Sequence, residues 1–215
     1  MIFKRLKVTV KPSLVTNCYI IIDEYSRETM LVDPGAEPEK IINVVKILDG
    51  KLKYIALTHC HVDHIGAVQR VKNELGGKTI IHRIESENIK NPDIVLFDSV
   101  DLEDPNVEID SRVDEDDIIH IGDIEFKIIH TPGHTNGSMC LYCERNKLLL
   151  SGDTLFSGTW GRTDLPTSSF EDIMLSITNK LMILPEDTIV YPGHGNSSII
   201  KEETRIYLDL KPKLW

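Results

Sequence analysis

The sequence predicts a mixed α/β fold in which packed sheets are covered by helices. Short β-rich apolar segments recur along the 215 residues, with helical patterns only at intervals. Two stretches, one around Met30 to His59 and one around Leu148 to His194, both read strand, Asp, helix, strand, His. No stretch rich in Gly, Pro or Ser is long enough to part the chain, so residues 1–215 are expected to form one domain.

Strands are expected at Phe3 to Val10 and Cys18 to Asp23. In the first half, Met30-Leu31-Val32 ends at Asp33-Pro34-Gly35, a strand stop. A helix with Pro38 near its start follows, with Ile41, Ile42, Val45 and Leu48 on one face. The apolar run Tyr54 to Leu57 then reads as a buried strand ending at Thr58-His59. A second helix is expected after Asp63, which suits its N-cap, with Ile65, Val68, Val71 and Leu75 facing inward. Further strands fit Thr79 to His82, Ile118 to Ile121, Ile124 to His130 and Ser138 to Cys143. In the second half, Lys147 to Leu150 leads through Ser151-Gly152 to Asp153. A helix with Phe170, Ile173, Met174, Ile177 and Leu181 on one face precedes the strand Thr188 to Tyr191, which finishes at Pro192-Gly193-His194. Both halves thereby bring polar residues to one edge of the sheets, where open α/β folds bind ligands.

Composition narrows the class. With 41% hydrophobic and 27% charged residues the chain has an ordinary globular profile. The longest apolar run, Cys18 to Ile22, falls far short of the roughly 20 residues that cross a bilayer. The N-terminus lacks the apolar stretch of a secretory signal, so a cytoplasmic location and no membrane partner are expected. Four cysteines are too few for a disulfide scaffold. Cys140 and Cys143 form C-x-x-C within an expected strand, where residues three apart face opposite sides and cannot chelate together. The net charge of -10 is concentrated between Asp98 and Asp117, where ten acidic residues accompany only Arg112, and a solvated loop is expected there. An acidic chain without a Lys/Arg cluster argues against nucleic acid as a partner.

His59-Cys60-His61-Val62-Asp63-His64 places four candidate ligands in six residues directly after a strand. An extended backbone points His59 and His61 to one side, and the turn at Asp63 can carry Asp63 and His64 to a second location. Three more candidates follow glycines at turns: His134, Asp153 and His194. Sites rich in His and carboxylate keep a coordination position open for water, whereas closed structural zinc sites usually contain several Cys. Five His and two Asp divide between two divalent ions. Zinc is the first expectation, and iron or manganese is served by the same ligand types. His82, His120 and His130 lie outside these motifs and are read as ordinary packed or surface residues.

Four motifs then resemble the metallo-β-lactamase-fold hydrolases of the glyoxalase II (hydroxyacylglutathione hydrolase) type. They are T-H-x-H-x-D-H at Thr58 to His64, T-P-G-H-T at Thr131 to Thr135, G-D-T-L-F at Gly152 to Phe156 and P-G-H-G at Pro192 to Gly195. The resemblance implies a four-layer αββα sandwich. It assigns His59, His61 and His134 to one metal, Asp63, His64 and His194 to a second, and Asp153 to both. Asp33 matches a family aspartate near the metals and is read as orienting a ligand histidine. The sequence has only Gly195 to Trp215 after His194, so the likeness is to a short form without the family's C-terminal helical region.

The expected reaction is attack of a metal-bridging hydroxide on the carbonyl of a small-molecule acyl thioester, with Asp63 and Asp153 as the catalytic carboxylates. A thiolate leaving group, of reference thiol pKa about 8.5, needs little proton help. Arg162, in Gly161-Arg162-Thr163-Asp164, is a candidate for binding a substrate carboxylate, with an ion pair to Asp164 as the rival reading. Three other functions share these features: a mononuclear iron persulfide dioxygenase, a phosphodiesterase or nuclease on the same fold, and a non-catalytic metal-stabilised module.

Overall fold

The structure, a computed structural model, describes residues 1–96 and 106–214, with the side chains of 208–214 outside the description. The first half builds one sheet. Strand β1 (Ile2–Lys11) pairs antiparallel with β2 (Leu14–Ile22), and β2 with β3 (Glu28–Val32). Helix α1 (Pro38–Ile47) then returns the chain to β4 (Lys51–Leu57), parallel to β3. After α2 (Val62–Ile65) and α3 (Val68–Leu75), β5 (Lys78–His82) adds in parallel. Two short helices, α4 (Glu85–Asn88) and α5 (Pro92–Val95), precede β6 (Ser111–Val113), which closes the order β1-β2-β3-β4-β5-β6.

The second sheet has the order β14-β13-β10-β9-β8-β7. Its strands are β7 (Ile118–Ile121), β8 (Ile124–His130), β9 (Met139–Cys143), β10 (Leu148–Gly152), β13 (Ile189–Pro192) and β14 (Ser198–Ile199). A hairpin, β11 (Leu155–Phe156) with β12 (Thr159–Trp160), leads to α6 (Phe170–Ser176), and α7 (Ile200–Leu214) ends the chain. The two-half echo is therefore structural: β3 and β4 are adjacent and parallel, as are β10 and β13.

Three apolar clusters define four layers. Cys18, Ile20 and Ile22 on one face of β2 pack with Ile41, Val45, Val68 and Val71 of α1 and α3. Tyr19 and Ile21 on its other face join Met30, Ala56 and Ile80 against Phe126, Ile128, Leu141 and Leu150 of the second sheet. Beyond that sheet, Cys140, Tyr142 and Leu149 pack against Ile173 and Ile177. Strands buried on both faces need apolar side chains at every position, which explains the continuous runs Cys18 to Ile22 and Leu148 to Leu150. The αββα sandwich follows from this order of layers. Cys140 and Cys143 fall in different clusters, on opposite faces of β9 as their spacing required.

Some expectations need correction. Asp63 is not an N-cap; His61 occupies that position of α2, without a side-chain cap, and Asp63 lies inside the first turn. Its carboxylate is engaged by Thr16 and His194 instead. The single helix expected there is two, because the N–H of Ala67 donates to Pro34 O at 2.9 Å. The helix after Ser169 changes to π geometry over Ile177–Leu181, and Phe170 is not on its buried face but 42% exposed, near Trp160. Of the acidic segment, 98–105 falls outside the described residues. Beyond it Asp110, Asp114, Glu115 and Asp116 pair with Lys72, Arg83, Lys180 and Lys127. No helix among the described residues is long and apolar enough to cross a membrane.

Candidate metal centre

Seven side chains from four loops, each at the C-terminal end of a strand or just beyond it, converge at one edge of the sandwich. The loop after β4 supplies His59, His61, Asp63 and His64; the loop after β8 supplies His134; β10 and β13 lead to Asp153 and His194. Ligating atoms lie within 4.8 Å of one another in three overlapping groups: His59, His61 and His134; His59, His64 and Asp153; Asp63, His64 and His194. Every residue that the sequence singled out as a ligand is in this cluster.

The hydrogen bonds orient the imidazoles. Asp33, 1% exposed, accepts from the Thr58 N–H at 2.8 Å and from the Thr58 hydroxyl at 2.6 Å. Having donated its hydrogen, the Thr58 oxygen accepts from His59 Nδ1 at 3.1 Å. Asp33 Oδ2 also accepts from His64 Nδ1 at 3.0 Å. His134 Nδ1 donates to the carbonyl of Arg162 at 2.9 Å, and His194 Nδ1 to that of Val15 at 2.8 Å. Four rings thus hold a proton on the outer nitrogen, leaving the Nε2 lone pair for the pocket.

Lone pairs turned on one another require positive charge between them. His64 Nε2 and His194 Nε2 face one another in this way 3.3 Å apart, while His134 Nε2 lies at hydrogen-bond distance, 2.9 Å, from His61 Nδ1. Asp153 joins the groups, with Oδ1 3.4 Å from His64 Nε2 and Oδ2 3.4 Å and 3.6 Å from Nε2 of His194 and His134. His59 Nε2 and Asp153 Oδ1 are buried without a hydrogen-bond partner. Such atoms are costly unless satisfied, and a borderline or hard divalent cation satisfies this N/O donor set. The residues fit one or more metal ions.

The electrostatics divide the pocket. Burial, aided by the neighbouring His134 imidazole, pushes His61 down to about 3. Burial would also lower His194, but the Asp153 and Asp63 carboxylates outweigh it and raise this group to about 10. The His194 side chain is 23% exposed and Asp63 14%, against 0% for His64, so the pocket opens on the Asp63 and His194 side.

Glycines set the closeness. A Cβ on Gly193 would stand 2.2 Å from Asp153 Oδ1 and 2.6 Å from His64 Cε1. One on Gly161 would stand 1.9 Å from the Asp153 carbonyl. Substitution at either must displace a ligand.

Arg162 and Asp164 form the forked pair of the rival reading, at 2.9 and 2.8 Å, both side chains about two-thirds exposed. Sequence reasoning missed the residues that hold the His194 loop. Asn17 donates from its backbone to Gly193 O at 2.7 Å and from its side chain to Pro192 O at 2.9 Å and Gly195 O at 3.1 Å. The strand runs back to Leu14, beyond its expected start at Cys18, and so takes in the polar pair Thr16-Asn17. Cys60 is buried, and burial with the adjacent Glu85 carboxylate pushes its thiol well up, so it is a neutral spacer between two histidines.

The fold and this cluster define a metal-dependent hydrolase. The chain belongs to the metallo-beta-lactamase superfamily, whose family profile matches residues 13–194. Among its relatives, hydroxyacylglutathione hydrolase GloC of Haemophilus influenzae is 34% identical over 198 residues, covering 88% of this chain and 90% of that protein. The probable metallo-hydrolase YqgX of Bacillus subtilis is 34% identical over 190 residues, covering 87% and 88%. The crystal structure of the BLEG-1 B3 metallo-beta-lactamase superposes with a TM-score of 0.84 at 31% identity, covering 95% of this chain and 97% of that one. TTHA1623, in a di-iron-bound form, gives a TM-score of 0.81 at 30% identity, covering 94% and 98%.

Proposed function

We propose that this protein hydrolyses a small-molecule acyl thioester of the hydroxyacylglutathione type, using two divalent cations with zinc as the first candidate. The observation behind this reading is the position of Asp153, whose Oδ2 stands between His134 of one histidine group and His194 of the other while its Oδ1 faces His64. His59, His61 and His134 would hold one cation, Asp63, His64 and His194 the other, and Asp153 both. When bound, such cations lower the pKa of water to about 7 and polarise a carbonyl.

The chain's own residues do the rest. Asp63 Oδ2 is occupied by the Thr16 hydroxyl at 3.3 Å and lies 3.1 Å from His194 Nε2, which leaves Oδ1 to orient and receive a proton from an attacking water. Phe156, with its ring centroid 6.1 Å from that of His194, supplies an apolar surface beside the open side of the pocket. The departing thiolate needs no strong acid, consistent with a site that presents carboxylates and imidazoles but no activated cysteine. Arg162, if released from Asp164, offers a fork for a substrate carboxylate. The likeness to GloC supports the thioester class.

The test is metal quantification on purified protein together with hydrolysis of a panel: lactoylglutathione, thioesters of other thiols and a β-lactam. Thioester cleavage that disappears with chelator and returns with metal is expected. Preferential opening of the β-lactam, or full thioesterase activity without metal, would overturn the proposal.

A further inference from the structure

Glu85, the first residue of α4, is 0% exposed. Its carboxylate is held by N–H groups: Oε2 accepts from the Cys60 backbone at 2.8 Å, while Oε1 accepts from the Asn88 side chain at 2.8 Å and the Gly137 backbone at 3.1 Å. Two of these donors belong to ligand-bearing loops. Cys60 stands between His59 and His61, and Gly137 is in the turn that follows His134. Gly137 approaches so closely that a Cβ there would meet Glu85 Oε1 at 2.7 Å. The second group is braced by other residues: His64 by Asp33, Asp63 by Thr16 and the His194 loop by Asn17 and Val15.

A buried carboxylate is costly, and an alkyl side chain would fill the same space without that cost. What an alkyl group cannot do is accept from two loops at once. The His59 and His61 rings lie 4.6 Å apart on the two sides of Cys60 in the chain, so fixing the Cys60 peptide between them fixes their separation. Holding Gly137 by the same carboxylate sets where the His134 turn stands relative to that pair. We propose that Glu85 is the positioning residue of the three-histidine group and sets the affinity of that group, selectively, for a divalent cation. The inference rests on the metal-centre reading above.

Glu85→Gln tests it. Gln keeps the shape but replaces one acceptor by an NH2 donor. With its oxygen turned to Asn88 and Gly137, its NH2 faces the Cys60 N–H, and that bond is lost. Co(II) titration of the full chain, followed by visible absorption, should show one binding step weakened about tenfold with an altered d–d spectrum, the other step staying within about twofold. Equal weakening of both steps, or of neither, would overturn the assignment of Glu85 alone. Wild-type protein that takes up no Co(II) would overturn the metal-centre reading and this inference with it. Should Glu85→Gln fail to fold, Asn88→Asp sets a second carboxylate against Glu85 Oε1 and should weaken the same step about threefold. An unselective or absent effect in that variant also overturns the assignment.

Discussion

Asp33 Oδ2 accepts a hydrogen bond from His64 Nδ1 at 3.0 Å, and the same carboxylate, through the Thr58 hydroxyl, orients His59. A residue outside the cluster thereby determines which nitrogen of two candidate ligands is free. Asp33→Asn puts an NH2 where one of these acceptors stands, and the His64 proton is driven toward the pocket. Cation affinity should fall about 10- to 100-fold. Competition against a calibrated chelator measures it, and unchanged affinity would remove Asp33 from this role.

Asp153→Ala removes the only carboxylate among the described residues that faces both histidine groups. Turnover should be abolished and metal content reduced, as read by elemental analysis of the purified variant. Undiminished hydrolysis would contradict the proposed chemistry.

Chelation should lower thermal stability without unfolding the chain, since the three apolar clusters do not depend on the site. A ligand at 1,000 times its Kd stabilises by about 4 kcal/mol. For a chain of this size that corresponds to a fall in Tm of roughly 8 to 16 °C on metal removal, by calorimetry.

Arg162→Glu should raise KM for an anionic thioester with little effect on kcat, because the His134 bond runs to the Arg162 backbone carbonyl, which the substitution retains. Asp164→Ala frees the guanidinium and should lower KM. Steady-state kinetics of both variants check this, and unaltered KM in both would take Arg162 off the binding surface.

His82 stacks on His130 with ring centroids 4.1 Å apart, and burial, then the adjacent imidazole, lowers it to about 4. A histidine depressed in the folded state takes up protons more readily when unfolded. Its contribution is fully present above about pH 6.5 and is lost as pH falls toward 4. Thermal melts across that window should show a slope that His82→Gln reduces; an unchanged slope would assign the acid sensitivity elsewhere.

Much of the site was legible because its residue types are improbable in that arrangement for any other purpose. His59 to His64 sit at a strand end, and their periodicity places them on one edge. The layer order was legible from runs such as Cys18 to Ile22, apolar at every position. What could not be read were long-range polar contacts. Asp63 satisfies a local capping rule, yet its carboxylate turns to Thr16 and His194, partners distant in sequence. Glu85 and Asn17 belong to none of the four motifs, and their roles depend on backbone groups brought near by tertiary packing. The helix break at Gly66-Ala67 likewise depends on Pro34, more than thirty residues earlier.

The hairpin β11–β12 leaves the sheet immediately after Asp153 and places Phe156 beside His194, while Trp160 packs on Phe170 and Tyr207 and neither residue joins the His/Asp cluster. The residues proposed to hold cations and the apolar surface beside them thus come from different pieces of chain. If the proposed thioesterase reading holds, the hairpin can be redesigned in length or sequence while the clustered histidines and carboxylates stay where they are, making it the natural target for altering selectivity.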